Sequence, residues 1–201
     1  MLGKLTQKVG VSMRAIAGSL LMVGVVGVGS LLAGCQSETK GGGTSTPAEP
    51  SIAENVPTGI DPCNLPADVL KSIHPKLKKG TTDDNSARGK IKWQGCRYVI
   101  SNGNGYSAHV SLTNLTLDMV REKNFPGERE TTINGRTVLT THQEADPTGD
   151  ENCVLYAQMN GGSLEFGVSN SNSAPETGAL SACDIGMSMA EKIVPLIAAG
   201  S

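Results

Sequence analysis

Between Ile91 and Ser169 the chain is cut by three tight turns: Asn102-Gly103-Asn104-Gly105, Asn134-Gly135 and Asn160-Gly161-Gly162. Each stands between two apolar-containing runs, and Asn-Gly tolerates the positive φ values that a two-residue hairpin loop demands. The runs read as strands. Ile91 to Ile100 carries Trp93, Cys96 and Tyr98, and in the next run Tyr106, Ala108, Val110 and Leu112 alternate with Ser107, His109 and Ser111, a period of two with one buried face. Glu128–Ile133 pairs with Arg136–His142, and Cys153–Met159 with Ser163–Ser169, the last burying Leu164, Phe166 and Val168. Ala145 to Glu151 is then an acidic loop between hairpins. Trp93 and Tyr98 fall on opposite faces of their strand, where at least one serves the core or shields a disulfide.

Three helices complete the pattern. Leu65 to Lys71 has Pro66 in its first turn, where a missing N–H costs nothing, and should end by His74-Pro75 because a residue before Pro avoids the helical region. Thr116 to Phe125 places Leu117, Val120 and Phe125 at helical spacing behind a cap at Asn114 or Thr116. Ser181-Ala182-Cys183-Asp184 resembles a capping box, with Cys183, Met187, Ala190 and Val194 on one stripe until Pro195 ends or kinks the helix. Asp83 to Gly89 reads as a polar connection. The order α-β-β-α-β-β-β-β-α without long crossovers predicts an α+β fold, an antiparallel β-sheet built from hairpins with two or three helices packed on it.

The N-terminus follows a different logic. Lys4, Lys8 and Arg14 precede an uncharged run from Ala15 to Ala33, which ends in Leu32-Ala33-Gly34-Cys35. This is the pattern of a lipoprotein signal peptide over residues 1–34, cleaved between Gly34 and Cys35, with the Cys35 thiol accepting lipid. A retained membrane helix is the competing reading, and Gly24, Gly27 and Gly29 weaken it at about 1 kcal/mol each relative to Ala. Residues 35–58, with a Gly triplet, three Pro and no aromatic residue, read as a flexible lipid-anchored linker. Thr44, Ser45 and Thr46 beside Pro47 are candidates there for O-linked sugars. Residues 59–201 form the single expected domain.

With Cys35 assigned to lipid, the five cysteines leave Cys63, Cys96, Cys153 and Cys183. An even number in an exported domain predicts two disulfides. Of the three pairings, Cys63–Cys96 and Cys153–Cys183 are favoured, because each closes a loop of about 30 residues between neighbouring elements. No C-x-x-C or Cys/His run has zinc spacing, so neither a metal nor a cofactor is expected.

Charge narrows the partners. The 17 Lys and Arg nearly balance 19 Asp and Glu, but three of the basic residues belong to the signal segment, leaving an acidic body with 14 against 19. Nucleic-acid binding needs clustered Lys and Arg and is not expected. His74, His109 and His142 are the three histidines; His109 on the polar side of its strand and His142 beside a loop read as surface residues. Ser107 or Ser111 with His109 and Asp118 would compose a nucleophilic triad on paper, but no G-x-S-x-G, H-E-x-x-H or phosphate loop accompanies them. Asp83-Asp84 and Asp146, Asp150 and Glu151 lack the calcium-loop pattern. Asn114-Leu115-Thr116 is an N-glycosylation triplet of little meaning behind a bacterial-type lipobox.

Asp61-Pro62-Cys63 before a short helix, Cys96-Arg97-Tyr98 in a strand, Asn134-Gly135-Arg136 in a hairpin, Cys153-Val154, and Ala182-Cys183 opening the last helix together resemble a known family. It comprises the actinobacterial envelope lipoproteins with a four-cysteine C-terminal secreted domain of unknown function. The resemblance implies location and disulfides and carries no catalytic residue. The expected protein is a lipid-anchored module on the extracytoplasmic face of the cell membrane. There it binds an envelope protein, glycan or lipid ligand without catalysis; an envelope enzyme with a site near His109 or His142 and a cell-wall scaffold are the alternatives.

Overall fold

A computed structural model of the chain describes residues 51–83, 85–100 and 103–201. The expected signal peptide, Cys35, the O-glycosylation candidates Thr44, Ser45 and Thr46, and most of the linker lie outside these residues. Among the described residues, no helix is long and apolar enough to cross a membrane.

The described elements run α1 (Ala67–Ile73), β1 (Leu77–Asp83), β2 (Ser86–Arg88), β3 (Ile91–Ile100), β4 (Ser107–Thr113), α2 (Leu117–Arg121), β5 (Arg129–Ile133), β6 (Arg136–His142), β7 (Asn152–Met159), β8 (Gly162–Ser169) and α3 (Ala182–Ile193). The expected α+β architecture is present as one eight-stranded antiparallel sheet. Its order is β1-β3-β4-β8-β7-β6-β5, with β2 also on β3. The turn at Asn134-Gly135 has φ of 49° and 77°, positive at both central residues as its hairpin requires, and sets Ile133 opposite Arg136. The two halves of the sheet join where β4 pairs with β8, Val110 opposite Phe166.

Two stretches correct the sequence reading. Asp83 to Gly89 is not simply a connection, because Ser86–Arg88 forms β2 against β3, and β1 just before it is a further strand. Both lie on the outer edge of β3, where a polar strand needs no apolar alternation and lysines such as Lys78 and Lys79 discourage further pairing. The domain also begins earlier than residue 59. Ala53 accepts a hydrogen bond from Asn114 Nδ2 at 2.7 Å, and Val56 packs against the core.

Each face of the sheet carries helices. On the first, α1 and α3 cover Tyr98, Val110, Leu155, Leu164, Phe166 and Val168. Ser181 caps α3 as expected, its Oγ accepting from the Asp184 N–H at 3.1 Å. Of the expected stripe, Cys183 and Ala190 are buried, as is Val194 just after the helix, and Met187 lies at the margin; Ile185, Met189 and Ile193 extend the buried face beyond it. A 3-10 turn over Val194–Leu196 contains Pro195 and follows the helix directly. On the opposite face α2, capped by Thr116, buries Leu117 and Val120 against Leu139 of β6 and Tyr156 of β7. This helix is too short to cover the whole face, so among the described residues no helix lies over the β3-β4-β8 part.

Both favoured disulfides are formed. Cys63–Cys96 ties the segment before α1 to β3, and Cys153–Cys183 ties β7 to the first turn of α3, with Cα separations of 5.1 and 5.0 Å. Beside the first, the Tyr98 hydroxyl donates to the Pro62 carbonyl at 2.6 Å.

Burial pushes the phenols of Tyr98 and Tyr106 up from 10.0 to about 12. The folded state thus favours the neutral phenol. That contribution is complete below pH 10.0, the ordinary value, and is lost as pH rises through about 12. Alkaline titration followed by circular dichroism should show unfolding in this window, and Tyr106→Phe should move it to higher pH; an unmoved transition would refute the assignment.

Candidate ligand-binding cleft

The uncovered part of the sheet is lined by alternate residues of three strands. Strand register sets Ser111 on β4 opposite both Gly95 on β3 and Glu165 on β8, and His109 opposite Gly167. Trp93 lies one pair further along β3, and Ser86 to Arg88 of β2 form the rim. Together they enclose a cleft of about 490 Å³.

Glu165 organises the floor. It is 7% exposed, and its carboxylate accepts the Trp93 indole N–H at 2.9 Å and meets His109 Nε2 at 3.0 Å. Tyr156, opposite it on β7, supplies a third partner through its hydroxyl. Burying a carboxylate is costly unless donors replace water, and three donors from three strands do so here. Burial, then the Glu165 charge and the hydrogen bond to it, push the Tyr156 pKa far up, so this residue remains a donor. A carboxylate oxygen accepts in this contact, so the hydrogen bond uses the proton on His109 Nε2. The imidazole lies over Gly167, where a Cβ would overlap its ring. The absence of a side chain at Gly167 is therefore a condition for the His109–Glu165 pair.

The candidate triad does not assemble. His109 and Ser111 share the cleft, but Ser107 lies near the other end of β4, opposite Ser169, and Asp118 is on α2 paired with Arg121. The carboxylate that His109 meets is Glu165, 56 residues away in sequence. No local signal marked it, because it occupies an ordinary position between Leu164 and Phe166.

Other expected sites are structural. Asn114 is fully buried, donating to Ala53 and Lys90 carbonyls and accepting from the Lys92 N–H, so its side chain is committed to the fold. Asp146 accepts from the backbone N–H groups of Glu151 and Asn152 and from the Thr148 hydroxyl. Desolvation raises its pKa, but these bonds outweigh it and hold the carboxyl below its usual value. His74 stands edge-on to Tyr106 with ring centroids 6.3 Å apart.

His142 is a correction: it is 8% exposed and not a surface histidine. Its Nδ1 lies 2.7 Å from the Pro147 carbonyl, whereas Nε2 is buried with no partner, at a cost of about 1–3 kcal/mol for an orphaned acceptor. The sequence contains no Cys/His run with metal spacing, yet the fold gathers His142, Cys153 and Cys183 so that their ligand atoms lie within 4.8 Å of one another. The two cysteines are joined to each other.

A family model described as a protein of unknown function, DUF3558, matches residues 30–196. The chain belongs to the DUF3558 family. No curated protein and no solved structure matches it. The DUF3558 match includes Cys35, both disulfides, Glu165 and His109.

Proposed function

We propose that this DUF3558 protein is a lipoprotein of the kind found in actinobacterial envelopes, anchored through acylated Cys35 on the extracytoplasmic face of the cell membrane. Its domain acts there as a non-catalytic binding module. Residues Lys4 to Cys35 support the anchor, since a charged start, an apolar run and Leu-Ala-Gly-Cys compose a lipoprotein signal. Two or three acyl chains hold a protein stably where one holds it marginally.

The observation that carries the binding reading is the cleft over Glu165. Trp93 offers an apolar ring, the Glu165 carboxylate and Ser111 hydroxyl offer hydrogen bonds, and Arg88 stands at the rim. A flat apolar surface beside convergent polar groups suits a saccharide of the envelope. Trp93 is the single tryptophan, so its fluorescence reports directly on the cleft. Titrating the mature protein in detergent with soluble envelope saccharides should change its emission saturably, and Arg88→Ala should weaken binding about ten-fold, the value of one charged hydrogen bond. Unchanged emission throughout would refute the saccharide reading, and recovery of normally acylated protein from a Cys35→Ala variant would refute the anchor.

The His109–Glu165 pair favours a second reading, an envelope hydrolase with His109 as base. Turnover of an envelope ester or glycoside that disappears in His109→Ala would select it.

A further inference from the structure

The second disulfide has surroundings that a purely structural crosslink does not need. The Pro147 carbonyl can only accept, so His142 Nδ1 carries the proton and Nε2 presents a lone pair with no donor. That nitrogen is at the disulfide. A Cβ on Gly149 would stand 2.8 Å from Cys183 Sγ and 2.9 Å from His142 Nε2, and Gly149 has φ of 73°, so no side chain separates them. Cys183 is the second residue of α3, within the first turn, where the helix dipole favours a thiolate. It also lines a cleft of about 290 Å³ with Arg129 and Met187, while Cys153 is fully buried. Among the described residues, no such group of His, Cys, Asp or Glu forms around Cys63–Cys96.

We propose that Cys153–Cys183 is a thiol–disulfide exchange site that oxidises a partner dithiol, with His142 carrying the proton. A thiol of the partner gives its proton to His142 Nε2 and attacks Sγ of Cys183, the cysteine of the pair that lines the cleft. The new bond joins the partner to Cys183, the Cys153–Cys183 bond breaks, and Cys153 leaves as a thiolate that takes the proton back from His142. The partner's second thiol then attacks its own sulfur in the mixed disulfide, releasing Cys183, which takes that thiol's proton. Two electrons and two protons have passed from the dithiol to the protein, leaving the partner oxidised and both cysteines as thiols. In the product the orphaned Nε2 has an S–H to accept from, which favours the reduced form.

The test uses the mature protein, purified in detergent, with dithiothreitol as the dithiol, followed by rapid alkylation and mass spectrometry of the cysteine peptides. Accessibility alone favours reduction of Cys63–Cys96 first, because Cys63 is the most exposed of the four. The expected result is the reverse, with Cys153 and Cys183 alkylated about ten-fold faster or more. His142→Asn should slow their reduction by about ten-fold while the Cys63–Cys96 rate, measured in the same sample, stays unchanged. Equal rates for the two disulfides, earlier reduction of Cys63–Cys96, or an unaltered Cys153–Cys183 rate in His142→Asn would overturn the proposal. The comparison of the two disulfides needs no variant, so the test stands even where His142→Asn does not fold.

Discussion

Replacement of Phe166 by alanine is expected to lower the stability of the domain by about 3–5 kcal/mol. Phe166 is fully buried on β8, the strand that pairs with both β4 and β7, and its ring faces the same core as Val110, Leu155 and the apolar side of α3. The loss has two parts: the transfer free energy of the ring and a cavity that flanking strands cannot close, because hydrogen bonds on both sides fix their spacing. Phe166→Leu should recover most of it by filling the space. Urea unfolding followed by circular dichroism gives the difference. A loss under about 1 kcal/mol would mean that the core at β8 is not packed as described.

Replacing Cys63 and Cys96 together by alanine is the second large change, with an expected loss of about 3–4 kcal/mol for the 33-residue separation. The bond ties the segment before α1 to β3 at the buried Cys96, beside the hydrogen bond from Tyr98 to the Pro62 carbonyl. Calorimetry should show a melting temperature lower by about 10 °C, at roughly 2–4 °C per kcal/mol for a domain of this size. Replacing both cysteines removes the crosslink without creating a buried free thiol. A variant with unchanged melting would show that the unfolded chain gains nothing from the cut. Tyr98→Phe, which removes one hydrogen bond at the same junction, should cost about 1 kcal/mol and serves as the smaller reference.

The hairpins, the helix caps and the disulfide pairing were legible because each depends on residues close in sequence or on loops of defined length. Asn134-Gly135 specifies its own turn, Ser181 caps α3 within three residues, and each cysteine pair closes a loop between adjacent elements. The buried face of α3 was legible in part, at Cys183, Ala190 and Val194, while Ile185 and Met189 face the sheet at a rotation that only packing sets. Strands β1 and β2 were not legible as strands, since a polar strand on a sheet edge buries little and leaves no alternation. β8 was read as burying one face, whereas every residue from Gly162 to Val168 is buried. The reason is that side chains from neighbouring strands and the loop before α2 crowd the opposite face, with Trp93, His109 and Tyr156 around Glu165 and the Leu115 carbonyl on the Ser163 hydroxyl.

The cleft and the histidine beside the disulfide belong to the same category. Glu165 meets Trp93 across 72 residues and His109 across 56, and neither relation leaves a periodic or spaced trace in the chain. His142 is buried because Gly127 and Gly149 bring loop backbone against its ring, an arrangement that depends on where the loops return. By itself the sequence determined the α+β class and the hairpins and favoured the disulfide pairing that forms, because short-range backbone preference and loop-closure entropy are properties of local chain. Only the tertiary structure decided which face α2 covers, and hence where the sheet opens over Glu165 and where a lone imidazole nitrogen meets two sulfurs. Those outcomes follow from strand register and helix placement, which couple residues too far apart in the chain for local patterning to record.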